Sequence, residues 1–180
     1  MAKTKSRTGA LMKGLFAILF GVLLVAQVGC GKKEEAAVHS RDAGKLALTV
    51  MDVHDQTHDL RQHLGKVVII DFWDTWCGPC KREIPHFVEL YDEYRDDGLE
   101  IVGVAFGRHG KDKVRAFGEQ YKINYTNAIF NEEAGAMFGR PRSIPTTFII
   151  DRNGQIAEKV TGFRPKEYFE TRIRALLEAS

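Results

Sequence analysis

Val67–Lys81 reads VVIIDFWDTWCGPCK, and its two halves imply different structures. Val67–Phe72 is a short apolar run rich in β-branched residues, the pattern of a strand buried on both faces. From Pro79 to about Tyr94, Ile84, Phe87, Leu90, Tyr91 and Tyr94 recur at spacings of three and four, which predicts a helix. Pro85 interrupts that pattern and is expected to kink the helix rather than end it. Cys77 and Cys80 therefore fall between a buried strand and a helix N-terminus.

A cysteine just before a helix meets unpaired backbone N–H groups and the positive end of the helix dipole. Both favour thiolate over thiol, which makes Cys77 the expected nucleophile with a depressed pKa. Cys80 lies one helical turn on, where its sulfur can reach that of Cys77 and close a small disulfide ring. Pro79 fits because the first helical turn needs no N–H from it. The expected reaction is thiol–disulfide exchange, which requires no metal or organic cofactor. Cys77 attacks a disulfide, a mixed disulfide forms, and Cys80 resolves it. The alternatives are a purely structural disulfide or half of a zinc site. A zinc site needs a second ligand pair, and the chain has no other Cys-x-x-Cys.

Outward from this unit, Leu46–Val53 alternates as a strand, His54-Asp55-Gln56 is a turn, and Thr57–Leu60 follows. Beyond Gly98 come a strand at Glu100–Phe106, a helix at Asp112–Gln120, a short strand at Thr126–Phe130 and helical turns at Glu132–Phe138. Thr146–Asp151 and Gln155–Thr161 are strands joined by the turn signal Arg152-Asn153-Gly154. Pro165–Ala179 closes the chain as an amphipathic helix with Phe169, Ile173, Leu176 and Leu177 on one face. No repeat and no second domain is visible. The order predicts an α/β domain with a mixed central sheet.

Asp71-Phe72-Trp73 and Trp76-Cys77-Gly78-Pro79-Cys80-Lys81, with Pro85 close behind and Ile144-Pro145-Thr146 far downstream, resemble the thioredoxin fold. Gly65-Lys66-Val67-Val68, Phe72-Trp73-Asp74-Thr75-Trp76-Cys77 and Pro145-Thr146-Thr147-Phe148 narrow the resemblance to the membrane-anchored TlpA/ResA-type thiol–disulfide oxidoreductases. It covers about Lys45 to Ala179. The fold implied is a thioredoxin fold with an N-terminal β-hairpin extension and an inserted αβ segment in the middle, between Gly110 and Gly139.

By that resemblance Pro145 is the cis-proline beside the active-site disulfide, and Ile144 before it contacts substrate. Trp76, Gly78 and Pro79 complete the implied substrate-binding surface, with Trp76 partly exposed and Trp73 in the core. Asp71 occupies the place of the buried carboxylate of thioredoxin, although TlpA-like members often carry Asn there. Burial would raise its pKa, so that it could take and return the Cys80 proton. Glu83 matches an acidic residue that ResA-like proteins keep near the site; its other reading is a solvated residue in the charge run Lys81-Arg82-Glu83. The six histidines (His39, His54, His58, His63, His86, His109) form no metal-ligand spacing.

The whole chain has 180 residues and a net charge of +2. Residues 1–40 carry six basic and two acidic side chains, which leaves 20 basic and 22 acidic in the remaining 140. The globular part thus lacks a polybasic block for nucleic acid. Met1–Lys13 is basic, Gly14–Gly29 is uncharged over sixteen residues, and Cys30 follows directly. This resembles a bacterial lipoprotein signal with Cys30 as the lipidated residue, although Gln27 departs from the apolar residue usual there. An uncleaved anchor and a cleaved secretion signal are the alternatives; all three place the domain outside the cytoplasm. The expected organisation is 1–29 signal peptide or membrane anchor, 30–44 polar linker and 45–180 thioredoxin-like domain.

The resemblance implies an extracytoplasmic reductant of exported proteins such as apocytochrome c, drawing electrons from a transmembrane partner. Gly78-Pro79 is the dipeptide of thioredoxin, whose potential is about −270 mV against about −120 mV for the oxidant DsbA, and this favours a reductant. Two rivals share the fold. A peroxiredoxin would need Thr-x-x-Cys, but one residue separates Thr75 from Cys77. A copper metallochaperone would need Cys-x-x-x-Cys with a distant His.

Overall fold

The computed structural model describes residues 46–179. Seven strands form one mixed sheet: β1 (Thr49–Asp52), β2 (Thr57–Asp59), β3 (Val67–Trp73), β4 (Leu99–Ala105), β5 (Thr126–Ile129), β6 (Thr146–Ile150) and β7 (Ile156–Thr161). Four helices accompany them: α1 (Gly78–Tyr94), α2 (Lys111–Gln120), α3 (Glu132–Met137) and α4 (Lys166–Glu178). Across the sheet the order is β2-β1-β5-β4-β3-β6-β7. β3 and β4 run parallel, as do β4 and β5, while β6 pairs antiparallel with β3, and β7 with β6. This is a thioredoxin-like α/β fold. The N-terminal hairpin β1–β2 extends the sheet by pairing antiparallel with β5, and the inserted segment supplies α2, β5 and α3.

Side-chain parity on β3 sorts the core. Val68, Ile70 and Phe72 pack with Val102, Val104, Phe148 and Ile150 beneath the hairpin and α3. Val67 and Ile69 face the other way, against Phe87 and Leu90 of α1 and Phe169 and Ile173 of α4. Residues two apart share a face of the sheet, so Asp71 and Trp73 join the α1 side. Trp73 packs there with Cys77, Cys80, Ile84 and Phe117.

Most expected elements stand where their patterns put them, with ends shifted by a residue or two. Pro85 lies inside α1 without ending it. The first strand is shorter than its alternation suggested, starting at Thr49 instead of Leu46. Leu46 adopts φ 51° and its carbonyl accepts the Leu48 N–H at 2.7 Å, so the chain turns before the sheet begins. Leu46 and Leu48 are buried all the same, which explains the misleading alternation. Leu60 opens a 3₁₀ turn, Leu60–His63, capped by the Asp59 carboxylate on Arg61 N–H at 3.0 Å.

Gly103, opposite Asp71 on β4, is required by packing. A Cβ there would lie 3.0 Å from Trp73 Nε1 and 3.3 Å from the Tyr125 ring, and both rings are buried. Neither can withdraw without disturbing the cluster around the cysteines. Gly103→Ala is therefore expected to destabilise the fold by about 1–3 kcal/mol, the usual cost of overpacking. Thermal unfolding followed by circular dichroism checks this; an unchanged or raised Tm would contradict it.

Candidate active site

Cys77 is the N-cap of α1, and its Sγ accepts the Cys80 backbone N–H at 3.2 Å. The two cysteines form a disulfide. Cys77 keeps 3% of its surface exposed and Cys80 none, so solvent and any polypeptide meet Cys77 first. The loop before the helix is held by Asp74, a fully buried residue absent from the candidates read in the sequence. Its carboxylate accepts N–H groups from Thr75 at 2.7 Å and Arg108 at 3.2 Å, and its carbonyl accepts the Cys77 N–H at 3.1 Å. Asp followed by Thr at the exit of a buried strand is the available sequence signal, since both residue types bond local backbone.

Two carboxyls lie buried on the α1 side of the sheet. Asp71 is paired in register with Thr147 of β6, whose hydroxyl donates to Asp71 Oδ1 at 3.1 Å. Burial pushes the Asp71 carboxyl up to about 7 against that opposing hydrogen bond. Glu83 is also buried, and the solvated reading is wrong. Arg82 is exposed and Lys81 half-buried, while Glu83 falls on the inward stripe of Cys80, Ile84 and Phe87. Its Oε1 accepts the Arg164 N–H at 2.8 Å, and Oε2 has no protein partner. Burial, and then the negative charge of Asp71, raises the Glu83 carboxyl to about 8. The Tyr125 phenol is likewise held well above its ordinary value, by burial first and then by those two charges.

The Ile144–Pro145 peptide bond is cis. Ile144 packs against the Cys77–Cys80 cluster, and the Pro145 carbonyl accepts the Gly162 N–H at 2.9 Å. Gly78 and Pro79 are exposed beside the disulfide. Trp76 is 49% exposed with the Arg108 guanidinium 5.4 Å over its ring, whereas Trp73 is fully buried.

A profile of the AhpC/TSA family matches residues 42–159. Thiol-disulfide oxidoreductase ResA of Geobacillus kaustophilus is 34% identical over 145 residues, 81% of each chain. The chain belongs to the ResA-type thiol–disulfide oxidoreductases. ResA of Bacillus subtilis is 31% identical over 156 residues, 87% of this chain and 83% of that one. Among solved structures, a thiol:disulfide interchange protein of the thioredoxin family from Chlorobium tepidum is 27% identical with a TM-score of 0.68. It covers 72% of this chain and 92% of its own.

A ResA-type protein is an enzyme of protein disulfides, and its exchange chemistry needs the Cys77–Cys80 pair found here. Trp76, Gly78 and Pro79 adjoin that pair in the chain, Ile144 of the cis Ile144–Pro145 bond packs on its cluster, and Asp71 and Glu83 are buried on the α1 side of the sheet. Asp74 holds the loop before the pair, and Thr147 and Tyr125 attend the two acids. Among the described residues, no group of three His, Cys, Asp or Glu side chains converges as metal ligands. Cys30, the uncharged Gly14–Gly29 segment and the linker through residue 44 lie outside the described residues.

Proposed function

We propose that this protein is an extracytoplasmic reductant of disulfides in exported proteins, with apocytochrome c among its clients, recharged by a transmembrane electron donor. The observation that carries this reading is the asymmetry of the pair: Cys77 reachable at a helix N-terminus and Cys80 sealed beneath it, with two carboxyls buried on the same side of the sheet. In the reduced protein, Cys77 thiolate attacks a client disulfide; the Cys77–client bond forms as the client S–S bond breaks and one client thiolate leaves. Cys80 gives its proton to Asp71 or Glu83, attacks Cys77 Sγ and expels the second client thiolate. Two electrons pass to the client, and the proton held by the carboxyl can return with it. Trp76, Gly78, Pro79, Ile144 and Pro145 form the surface along which the client strand lies.

The N-terminal reading belongs to the same proposal. A basic start, sixteen uncharged residues and Cys30 support export, with residues 1–29 removed as a lipoprotein signal or kept as an anchor and 45–180 as the catalytic domain. Mass spectrometry of the mature protein is expected to find a diacylated Cys30 at the N-terminus; an unmodified chain starting at Met1 would refute lipidation.

The direction of transfer is tested by equilibrating the full chain with dithiothreitol and glutathione buffers and trapping free thiols. A midpoint on the reducing side, nearer about −270 mV than about −120 mV, is expected. A value at the oxidising end would make the protein a disulfide donor instead. Cys77→Ser is expected to abolish exchange altogether, and retained reduction of a protein disulfide would refute its role as nucleophile.

A further inference from the structure

Four segments frame the disulfide: Asp74–Arg82 carries it, Phe106–Gly110 and Arg140–Pro145 flank it, and Gly162–Pro165 closes the frame. They are tied together by Arg108 N–H on Asp74, Ile144 packed on the cysteine cluster, and Gly162 N–H on the Pro145 carbonyl. Their charges are one-sided. The segments carry six cations; Arg140 is paired with Glu132 at 3.2 Å, and the other five, Lys81, Arg82, Arg108, Arg142 and Arg164, form a rim, while the sole acid in these segments, Asp74, is buried and bonded to backbone. Glu83, the next residue along the helix, is buried too. This cationic rim belongs to a domain in which acids outnumber bases, 22 to 20 over residues 41–180.

The rim cations also differ from those elsewhere that are neutralised by a neighbouring acid. Arg61, Arg95, Arg115 and Arg172 each lie within salt-bridge distance of a carboxylate. None of the five rim cations does among the described residues. Four of them are instead poised over aromatic rings: Arg108 over Trp76 at 5.4 Å, Arg82 over Phe163 at 5.1 Å, Arg164 over Tyr168 at 5.6 Å and Lys81 over Phe117 at 5.9 Å. Stacking holds a guanidinium in place and leaves edge N–H groups for a carboxylate fork, although one Arg164 N–H is donated to the Phe163 carbonyl at 2.8 Å. The positions are thus ordered before any anion arrives, which lowers the entropy lost on binding.

We propose that this rim selects clients by charge: the preferred substrate is a polypeptide with Asp or Glu within a few residues of its disulfide-bonded cysteine. The proposal rests on the disulfide-exchange reading above and adds the chemistry of the substrate to it. A polypeptide is favoured over a lipid surface because the cations sit on the segments that frame the disulfide, and Arg108 lies over the half-exposed Trp76, where a chain must lie to exchange. Carboxylates on the client are drawn in from a distance set by the ionic strength, so selection acts chiefly on the rate of encounter.

The test compares two peptides with the same intramolecular disulfide, one flanked by Glu and one by Lys. The full chain is reduced with dithiothreitol, desalted and mixed with each, and its oxidation to the Cys77–Cys80 disulfide is followed by tryptophan fluorescence. At low salt the Glu peptide is expected to react at least about tenfold faster. The gap should close near 1 M salt, where the screening length is about 3 Å. Arg108→Glu combined with Arg142→Glu should reverse the preference; the wild-type comparison stands even where that variant folds poorly. Equal rates, or a faster Lys peptide, would overturn the rim proposal while leaving disulfide exchange intact. Failure of both peptides to oxidise the protein would overturn the exchange reading beneath it. Binding to phosphatidylglycerol vesicles that the double variant loses, with no peptide preference, would assign the rim to lipid headgroups and overturn the proposal.

Discussion

The Cys80→Ser chain is expected to stop each reaction as a covalent adduct, with Cys77 bonded to one cysteine of its client. The cause lies in the unequal exposure of the two sulfurs. Cys77 retains an accessible edge and makes the first attack, whereas Cys80 is fully enclosed and acts only on a partner already bound to Cys77. Its nearness is worth a great deal, since oriented intramolecular groups reach effective molarities of about 10⁵ M or more. External thiol at millimolar concentration replaces little of that, so turnover should fall by more than about 10³-fold. Serine preserves the size and polarity of the site, which keeps the fold and leaves Cys77 free. Non-reducing electrophoresis and mass spectrometry of the captured proteins give the measurement, with release by dithiothreitol as the control. Turnover within tenfold of the wild type, or no adduct, would remove Cys80 from the resolving role. The captured proteins would also show whether acidic residues flank the bonded cysteine.

Much of this arrangement is legible in the sequence. The apolar run of β3 and the three-and-four spacing of α1 placed the cysteines at a strand–helix junction, and Cys77 is indeed the N-cap. Local pattern suffices there because strand, loop and helix are contiguous. It fails where partners come from distant segments. Thr147 meets Asp71 only through the β3–β6 register, and Tyr125 senses both acids across the insertion, so neither stands out in the sequence. Asp74 does not stand out either, because an aspartate in a loop ordinarily faces water. Glu83 was masked by its charged neighbours, although the helical spacing from Cys80 to Ile84 and Phe87 already turns it inward. Leu46 erred in the opposite sense. Its burial mimicked strand alternation, while its backbone turns away from the sheet.

The second large effect concerns stability against pH, and it follows from the same two acids. Asp71 is raised from an ordinary 3.8 to about 7, and Glu83 from 4.5 to about 8. An acid raised by folding holds its proton in the native state after the unfolded chain has released it. The stability contributed by these two acids is therefore greatest below about pH 4, where both are protonated in either state. It falls as the pH climbs through the window up to about 8, at up to about 1.4 kcal/mol per pH unit for each extra native proton. Asp71→Asn removes the charge and keeps an oxygen for the Thr147 hydroxyl. At pH 9 it is expected to stabilise the protein by on the order of 2–4 kcal/mol, and near pH 4 hardly at all. Glu83→Gln should act in the same direction and still accept the Arg164 N–H. Because the charge on Asp71 contributes to the Glu83 shift, the double variant should gain less than the sum of the two. Chemical denaturation at pH 4 and pH 9 measures all three. A second readout separates proton handling from stability: the resolving step, followed by stopped flow, should lose its inflection near pH 7 in Asp71→Asn. If the stabilisation were equal at both pH values, the buried charge would not be its source. If the inflection persisted in Asp71→Asn and vanished in Glu83→Gln, the proton of Cys80 would pass to the helix carboxyl instead of the strand one.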